Sequence, residues 1–399
     1  MFKYHDFGRM KSTVTTAELE RRWREVRSAM AKEGVDCLFL YGIDAWSGGG
    51  VKWFTDIPCD GSLGMVALFP KEGDIALYGH GIGHGVPGGA AFPEDSCRGL
   101  SLNVDVQFSP TLGFTDHYIP EEVVSFLNKY GYKKIGVYRP VMVPFGMVDY
   151  VRTSVQGCEI FDATDLVDMI KAIKSEEELE AHKNAIWIHD EIHRNMPLWL
   201  KPGRTEREIT CDIRKAALDL GCEEMNIMIG GAAGKRAYHV PIYLQSGKLE
   251  SGHNTEIVIE FTAAGGYYGE LQRMWCVDCE PFPALQRAMD GCFELQAMMA
   301  AAAKPGTPCS DMRAIMLRYQ EEHGFEKDNR VCGHGQGVDL VERPAFFFGE
   351  TMTFQENMFF SIHPPCGDRE AYCNACDNFV VTKDGGLRLT QTEQKIFIA

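Results

Sequence analysis

The 399-residue sequence is poor in basic charge and contains no long apolar run. Its 40 lysines and arginines are outnumbered by 56 acidic residues, which gives a formal net charge of -16. A phosphate backbone must be met by clustered basic side chains, so this balance argues against nucleic acid and against an anionic membrane surface. The charged first eleven residues do not fit a signal peptide. The sequence therefore predicts a cytoplasmic protein that acts on a small molecule.

Phosphate-binding and structural-zinc patterns are also missing. The glycine-rich residues 46–50 match neither G-x-G-x-x-G nor the P-loop, so they do not indicate a nucleotide site. The fourteen cysteines are scattered, and the two C-x-x-C pairs lie too far apart in the chain for a zinc ribbon. We expect most of these cysteines to be small buried side chains in a reducing compartment.

The length exceeds what one hydrophobic core supports, which predicts two domains divided near residue 170. In residues 1–170, hydrophobic periodicity and turn signals predict elements that alternate between helix and strand. The helices are expected at residues 16–33 and 121–130, and the strands at 35–41, 65–69, 75–78, 134–138 and 159–162. This alternation indicates an α/β domain.

Residues 171–399 contain an internal repeat. They begin with a capping-box helix at Ser175 that is expected to stop near Pro197. The tripeptide Lys-Pro-Gly then occurs at residues 201–203 and again at 304–306, each time between two predicted helices. A glycine, Gly221 or Gly324, follows 18 residues after the last glycine of each tripeptide. This pattern predicts a duplicated helical unit.

Four motifs of this half resemble, in order, those of the creatinase/aminopeptidase P/methionine aminopeptidase family. They are YHVP at residues 238–241, IVIEFTAAGGYYGELQRMW at 257–275, GHGQGVD at 333–339 and NMFFSIHPP at 357–365. The resemblance implies a pseudo-symmetric pita-bread α+β catalytic domain at residues 171–399. Residues 53–56 extend it, more weakly, to a creatinase/prolidase-type α/β domain at residues 1–170. A homodimer is implied as well, in which each cleft is completed by the partner's N-terminal domain.

Four of the five positions that match the family's metal ligands carry changed residues. The peptidases of this family bind two divalent metals through Asp, Asp, His, Glu and Glu. The matching residues here are Glu260, Glu270, His334, His363 and Cys376. An imidazole or a thiol cannot bridge two metals as a carboxylate does, so we expect the dinuclear site to be absent. Metal-free acid–base chemistry with no cofactor is the favoured interpretation.

A mononuclear zinc or iron site is the alternative. It would use His334, His363 and Cys376, with or without a glutamate. Each of these residue types can bind a metal, and the same mixture of Glu and His also suits proton transfer.

The changed ligands, with the resemblance to creatinase, predict a non-peptidase hydrolase that cleaves a C–N bond in a small polar nitrogenous metabolite. His239 matches creatinase's acid–base histidine and would relay the proton, with Glu260 as nucleophile or base. Glu270, His334 and His363 would polarise or orient the substrate. The predicted substrate contacts are Tyr268, Gln272, Arg343, Cys376 and Asp60. For Arg343 an ion pair with Glu342 is the simpler alternative, and for Cys376 a buried inert thiol.

Three other functions stay open at this point. One is a lyase that eliminates a small group after proton abstraction, since the resembling fold also supports lyases. Another is a pseudoenzyme that binds peptides or proteins, against which the retained Glu, His and Cys residues argue. A prolidase-type peptidase has the least support, because two aspartates and two glutamates of its metal site are replaced.

Overall fold

The computed structural model describes residues 14–44, 46–59, 63–80 and 98–399. The chain divides into two compact units, Met1–Lys171 and Ala172–Ala399. None of the helices in these described ranges combines the length and apolar character needed to cross a bilayer.

The first unit is a mixed sheet with helices. Its helices are α1 (Thr16–Glu33), α2 (Gly49–Thr55), α3 (Tyr118–Tyr130), α4 (Phe145–Ser154) and α5 (Thr164–Lys171). Its strands are β1 (Cys37–Gly42), β2 (Met65–Pro70), β3 (Ile75–Gly79), β4 (Leu100–Asp105), β5 (Lys134–Val137) and β6 (Glu159–Asp162). Within the described ranges they form one sheet in the order β4-β3-β2-β1-β5-β6. β1 is buried along its whole length, as expected for a central strand covered on both faces.

Local sequence signals fix the elements of this unit closely. Helix α1 begins where the Thr15 side chain accepts a hydrogen bond from the Glu18 N–H, and it ends at Gly34, which adopts the left-handed conformation. The predicted helix at residues 16–33 is therefore confirmed to the residue. The predicted strands are confirmed within two residues at either end, and α3 begins three residues earlier than expected.

The second unit contains two helix pairs and several sheets. Its helices are α6 (Glu176–Trp199), α7 (Glu206–Asp219), α8 (Pro283–Ala302) and α9 (Asp311–Glu322). Its strands are β7 (Met225–Ala233), β8 (His253–Thr262), β9 (Tyr268–Cys276), β10 (Gly333–Gly335), β11 (Glu342–Ala345), β12 (Phe359–Ile362), β13 (Pro365–Gly367), β14 (Tyr372–Asn374), β15 (Asp377–Thr382), β16 (Gly385–Arg388) and β17 (Phe397–Ile398). Among the described residues the sheet orders are β17-β9-β8-β7, β11-β10-β12-β15-β16 and β13-β14.

The two halves of this unit use the same connection. Gly203 and Gly306, the last glycines of the two Lys-Pro-Gly tripeptides, both have a φ of 90°. The Gly203 N–H donates to the Leu249 carbonyl and the Gly306 N–H donates to the Phe354 carbonyl, each at 2.8 Å. Equal backbone geometry at both tripeptides supports the predicted duplication.

Each half packs its own apolar core. One cluster fills the space between α6, α7 and the β7–β9 sheet and includes Ile213, Phe261 and Trp275. The other cluster surrounds α8 and α9 and includes Met312 and Phe360. Helix α6 starts with the predicted capping box of Ser175 and Glu178, but it continues through Pro197 to Trp199. Proline in the last turn removes only one helical hydrogen bond, so the helix does not stop there.

A buried ion pair joins the two halves. Arg273 on β9 and Asp377 on β15 approach to 2.5 Å, and both side chains are fully buried. Arg273 also donates to the backbone carbonyls of Cys376 and Glu393, at 3.0 Å each. The ion pair and these two hydrogen bonds therefore connect β9 to the chain segment that follows β14.

Replacing Arg273 with methionine is expected to lower the free energy of unfolding of the second unit by about 3–5 kcal/mol. The buried Asp377 carboxylate would lose its main counter-charge. Chemical denaturation followed by circular dichroism measures the change. Lys215→Met is the matched control, because the Lys215–Asp219 pair is exposed and should contribute at most about 1 kcal/mol. Equal effects of the two variants would contradict this account of the buried pair.

Candidate metal centre and proton-transfer site

The β8–β9 hairpin places acidic and amide side chains on one face of the sheet. Glu260 lies directly opposite Glu270 in the antiparallel ladder. Because side chains alternate between faces, Glu256 shares the face of Glu260, and Gln272 shares the face of Glu270. The short, tightly paired hairpin thus concentrates four polar side chains that the sequence separates by up to sixteen residues.

Three candidate metal ligands converge on this face. Glu270, His334 and His363 each offer a ligand atom, and these atoms lie within 4.8 Å of one another. His334 is on β10, which pairs with β12, and His363 directly follows β12. The two imidazole ring centroids are 5.1 Å apart. Strand pairing therefore brings together residues that lie 64 and 93 positions apart in the chain.

Both imidazoles are held in the neutral form that binds metals. Burial lowers the pKa of His334, and burial together with the nearby His334 lowers the pKa of His363 to about 3. His334 Nδ1 lies 3.0 Å from the Gly335 carbonyl, which favours a proton on Nδ1 and leaves Nε2 with a lone pair. Within the described residues the buried His363 Nε2 has no hydrogen-bond partner.

The Glu270 side chain is buried from solvent, which is unusual for a carboxyl group. Burial, with the neighbouring Glu260 as the second cause, raises its pKa to about 8. A hydrogen bond from the Cys376 thiol opposes this rise. The Glu270 backbone is fixed on both sides by Asn378, whose side chain accepts from its N–H at 3.0 Å and donates to its carbonyl at 2.7 Å.

These residues fit one divalent metal ion. Two neutral imidazole nitrogens and one carboxylate oxygen are a common donor set for zinc, iron and similar ions. The orphaned Nε2 of His363 supports this fit, because a buried polar atom without a partner is otherwise costly. Cys376 contributes differently from the expected ligand set: its thiol hydrogen-bonds Glu270, and burial raises its pKa well above the usual value.

A second group of residues is suited to proton transfer. His239 Nδ1 lies 2.8 Å from Glu256 Oε2, and Gln272 Nε2 donates to Glu256 Oε1 at 2.6 Å. Glu256 is 1% exposed, so its negative charge is directed to these two partners. A proton on Nδ1 leaves Nε2 of His239 as the atom that accepts or returns a proton.

The loop that carries His239 folds back on β7. Val240 and Ile229 exchange backbone hydrogen bonds, which fixes the loop against the strand. Gly230 makes this close approach possible, since a Cβ at that position would lie 1.6 Å from the Tyr238 carbonyl oxygen. The glycine run that precedes the histidine therefore has a packing function.

Glu260 lies between the candidate metal ligands and the His239–Glu256 pair. Its side chain is half-buried and accepts a hydrogen bond from Asn226 Nδ2 at 2.5 Å. Burial raises its pKa, and the Asn226 hydrogen bond and the charge of His239 oppose that rise. A carboxyl group with a raised pKa near a histidine is suited to general acid–base chemistry.

The other predicted contacts have mixed outcomes. Tyr268 is fully buried, and its carbonyl lies 2.8 Å from His182 Nδ1. Arg343 was predicted as a substrate contact, with an ion pair to Glu342 as the alternative. It pairs with Glu350 at 2.6 Å, whereas Glu342 pairs with Lys174 at 2.8 Å. Consecutive residues of β11 point to opposite faces, so the two side chains have different partners. Asp60 lies outside the described residues.

Several supporting residues were not anticipated from the sequence. They are Asn226, Glu256 and Asn378. Glu256 carried a usable signal, because it lies four residues before Glu260 and a strand places such residues on one face. The roles of the others become visible only once the pairing of the strands is known.

The sequence of the second unit matches a known family over most of its length. Residues 180–392 match the model of metallopeptidase family M24. The chain belongs to this family. The pita-bread assignment is thereby confirmed, as is the two-domain α/β fold.

The M24 chain has dipeptidases among its relatives. It is 26% identical over 246 residues to a probable dipeptidase, PepE, of Mycobacterium tuberculosis, a match that covers 59% of this chain and 63% of that protein. It is 23% identical over 268 residues to the Xaa-Pro dipeptidase of Pyrococcus horikoshii, covering 67% of this chain and 75% of that one. The chain thus spans less than two thirds of the length of the mycobacterial relative.

Solved structures show the same fold over nearly the whole chain. The X-Pro aminopeptidase from Thermotoga maritima superposes with a TM-score of 0.80 at 17% identity, covering 94% of this chain and 99% of that one. Dipeptidase PepE from Mycobacterium ulcerans gives a TM-score of 0.75 at 19% identity, covering 96% and 99%.

One prediction requires correction. The prediction of a creatinase-like, non-peptidase hydrolase of a small nitrogenous metabolite is wrong, because the matched family is one of metallopeptidases and the relatives are dipeptidases. The metal-free interpretation and the mononuclear alternative both stay predictions. For the mononuclear alternative, the structure brings a glutamate, Glu270, together with His334 and His363 as candidate ligands.

Zinc binding at pH 7 is expected to release about one proton, because without a cation the Glu270 carboxyl is protonated at a pKa of about 8. Calorimetric titration in buffers of different ionisation enthalpy measures this release. Glu270→Gln should abolish it and weaken binding. Glu250→Gln, a change at an exposed position of the same unit, should leave both unchanged. Proton release that persists in Glu270→Gln would contradict this assignment.

Proposed function

We propose that this M24 protein is a hydrolase of short peptides, of the dipeptidase type, that uses one divalent metal ion. Glu270, His334 and His363 would hold the ion, and His239 and Glu260 would transfer protons. The observation that carries the proposal is the convergence of the three candidate ligands within 4.8 Å. Family membership and the dipeptidase relatives support peptides as the substrate class.

A divalent ion held by these residues would supply Lewis-acid polarisation of a carbonyl and a more acidic bound water. The ligand set favours one ion over two. Of the three side chains, only Glu270 is a carboxylate, and His334 and His363 each offer a single nitrogen to a cation. A second ion would have Glu270 as its one bridging carboxylate from this set, whereas a metal pair is ordinarily held by several.

His239 would return a proton to the leaving nitrogen. Glu256 orients the imidazole through Nδ1 at 2.8 Å, and Gln272 fixes Glu256 in turn. Such a buried carboxylate also stabilises the imidazolium that forms when Nε2 takes up a proton. The pair therefore has the arrangement that a general acid–base requires: a histidine with a fixed tautomer and a counter-charge behind it.

Glu260 would accept a proton from the attacking water. Asn226 holds one carboxylate oxygen at 2.5 Å, which leaves the other for the reaction. Because burial raises its pKa, Glu260 is a stronger base than an exposed glutamate. Its position opposite Glu270 on the hairpin puts it beside the proposed metal-binding group.

The proposal is tested by assaying a panel of dipeptides, including Xaa-Pro dipeptides, with protein that has been stripped by a chelator and then reloaded. Hydrolysis is expected with about one equivalent of a divalent ion and should be lost without it. His239→Gln should lower kcat by roughly 10²–10⁴-fold, because general acid–base catalysis contributes about that much.

His117→Gln is the matched control, since His117 is a partly exposed histidine of the first unit. It should retain full activity. Peptide hydrolysis that survives both the chelator and Glu270→Gln would refute the metal-dependent mechanism. No hydrolysis of any dipeptide by the reloaded protein would refute the substrate class.

A further inference from the structure

Arg236 lies between two tyrosine rings. Its guanidinium carbon is 4.7 Å from the ring centroid of Tyr238 and 3.8 Å from that of Tyr372. Aromatic faces attract a guanidinium and fix its orientation. The N–H donors lie in the guanidinium plane and stay available to other groups. The side chain is thus held in place before any ligand arrives.

Among the described residues, one donor of this arginine is left without a partner. The Arg236 Nε is buried and, within the described part of the chain, has no hydrogen-bond acceptor. A guanidinium stays charged at any physiological pH, and buried donors are almost always paired. An unpaired, preorganised cation of this kind fits an anionic ligand, most specifically a carboxylate that can accept two parallel hydrogen bonds.

The neighbouring Arg330 provides a contrast within the same cluster. Its guanidinium carbon lies 5.2 Å from the Tyr372 centroid, but its Nε is 3.3 Å from both oxygens of Asp328. Asp328 also accepts a hydrogen bond from the Tyr372 hydroxyl at 3.0 Å. Arg330 is therefore neutralised by the protein, and Asp328 positions the ring on which Arg236 rests.

Both tyrosines belong to segments that carry residues of the proposed site. Tyr238 immediately precedes His239. Tyr372 is on β14, and the β13–β14 hairpin lies between His363 and Cys376 in the chain. The arginine is thus held by the same two chain segments that supply the proton-transfer histidine and a candidate metal ligand.

We infer that Arg236 binds the C-terminal carboxylate of the substrate and so selects short peptides with a free C-terminus; the peptide class itself rests on the proposed function. In a dipeptide the carboxylate is one residue from the scissile bond, so its cation must belong to the segments around the catalytic residues. The chain's net charge of -16 disfavours negatively charged groups in general, so a substrate carboxylate gains from a dedicated cation.

Equilibrium binding tests this inference without requiring turnover. The probes are the reduced-bond analogue of Ala-Pro, in which a methylene replaces the scissile carbonyl, and the C-terminal amide of the same analogue. Calorimetry on the wild-type protein should show roughly 10- to 100-fold tighter binding of the free acid, as expected for a charge-assisted bidentate contact. Arg236→Met should bind the two probes about equally.

Two further variants keep the test interpretable. Arg236→Lys retains the charge without the planar fork and should retain only part of the preference. Arg330→Met is the matched control and should show the wild-type preference. Thermal unfolding monitored by circular dichroism checks that each variant is folded.

The inference is overturned if wild-type protein binds the acid and the amide equally or binds neither, or if folded Arg236→Met keeps the preference. The proposed function fails in a different way. A preference for the acid that depends on Arg236, in a protein that hydrolyses no dipeptide, would refute the peptidase assignment and leave the carboxylate site in place.

Discussion

The pairing of β8 with β9 determines the site, because it puts two glutamates face to face in a poorly hydrated position. Glu260 and Glu270 occupy opposite places in the ladder, and burial raises the pKa of both. Two carboxylates so close cannot both be charged at low cost unless a cation lies nearby. The two neutral histidines beside Glu270 supply nitrogen donors but no positive charge. The metal ion that we propose would satisfy all of these groups together.

The remaining polar contacts keep this arrangement rigid. Asn378 fixes the backbone of Glu270, and the buried Arg273–Asp377 pair fixes β9 against β15. On the other side, Gly230 lets the His239 loop lie against β7, where Glu256 meets the imidazole. Reacting groups that are held by supporting side chains lose little entropy on substrate binding, which is how preorganisation assists catalysis. The two halves of the duplicated unit thus contribute different parts of one site.

Local signals in the sequence predicted the fold well. The Thr15 cap and Gly34 defined α1, Ser175 and Glu178 defined the start of α6, and the repeated Lys-Pro-Gly tripeptide indicated the duplication. The four altered ligand positions and the retained His334 were also recognised. Residue type left Cys376 and a glutamate both open as partners of the two histidines, whereas strand register brings Glu270 to them. The partners of Arg343 and His239 depend on contacts between distant segments, which periodicity does not reveal.

Anomalous X-ray diffraction from crystals grown with one equivalent of zinc tests the central claim most directly. The account predicts a single anomalous peak at the zinc edge, within bonding distance of side-chain atoms of Glu270, His334 and His363. Two peaks at this position would show that the altered ligands still hold a metal pair. The absence of an anomalous peak at this site, or zinc bound only elsewhere, would contradict the account.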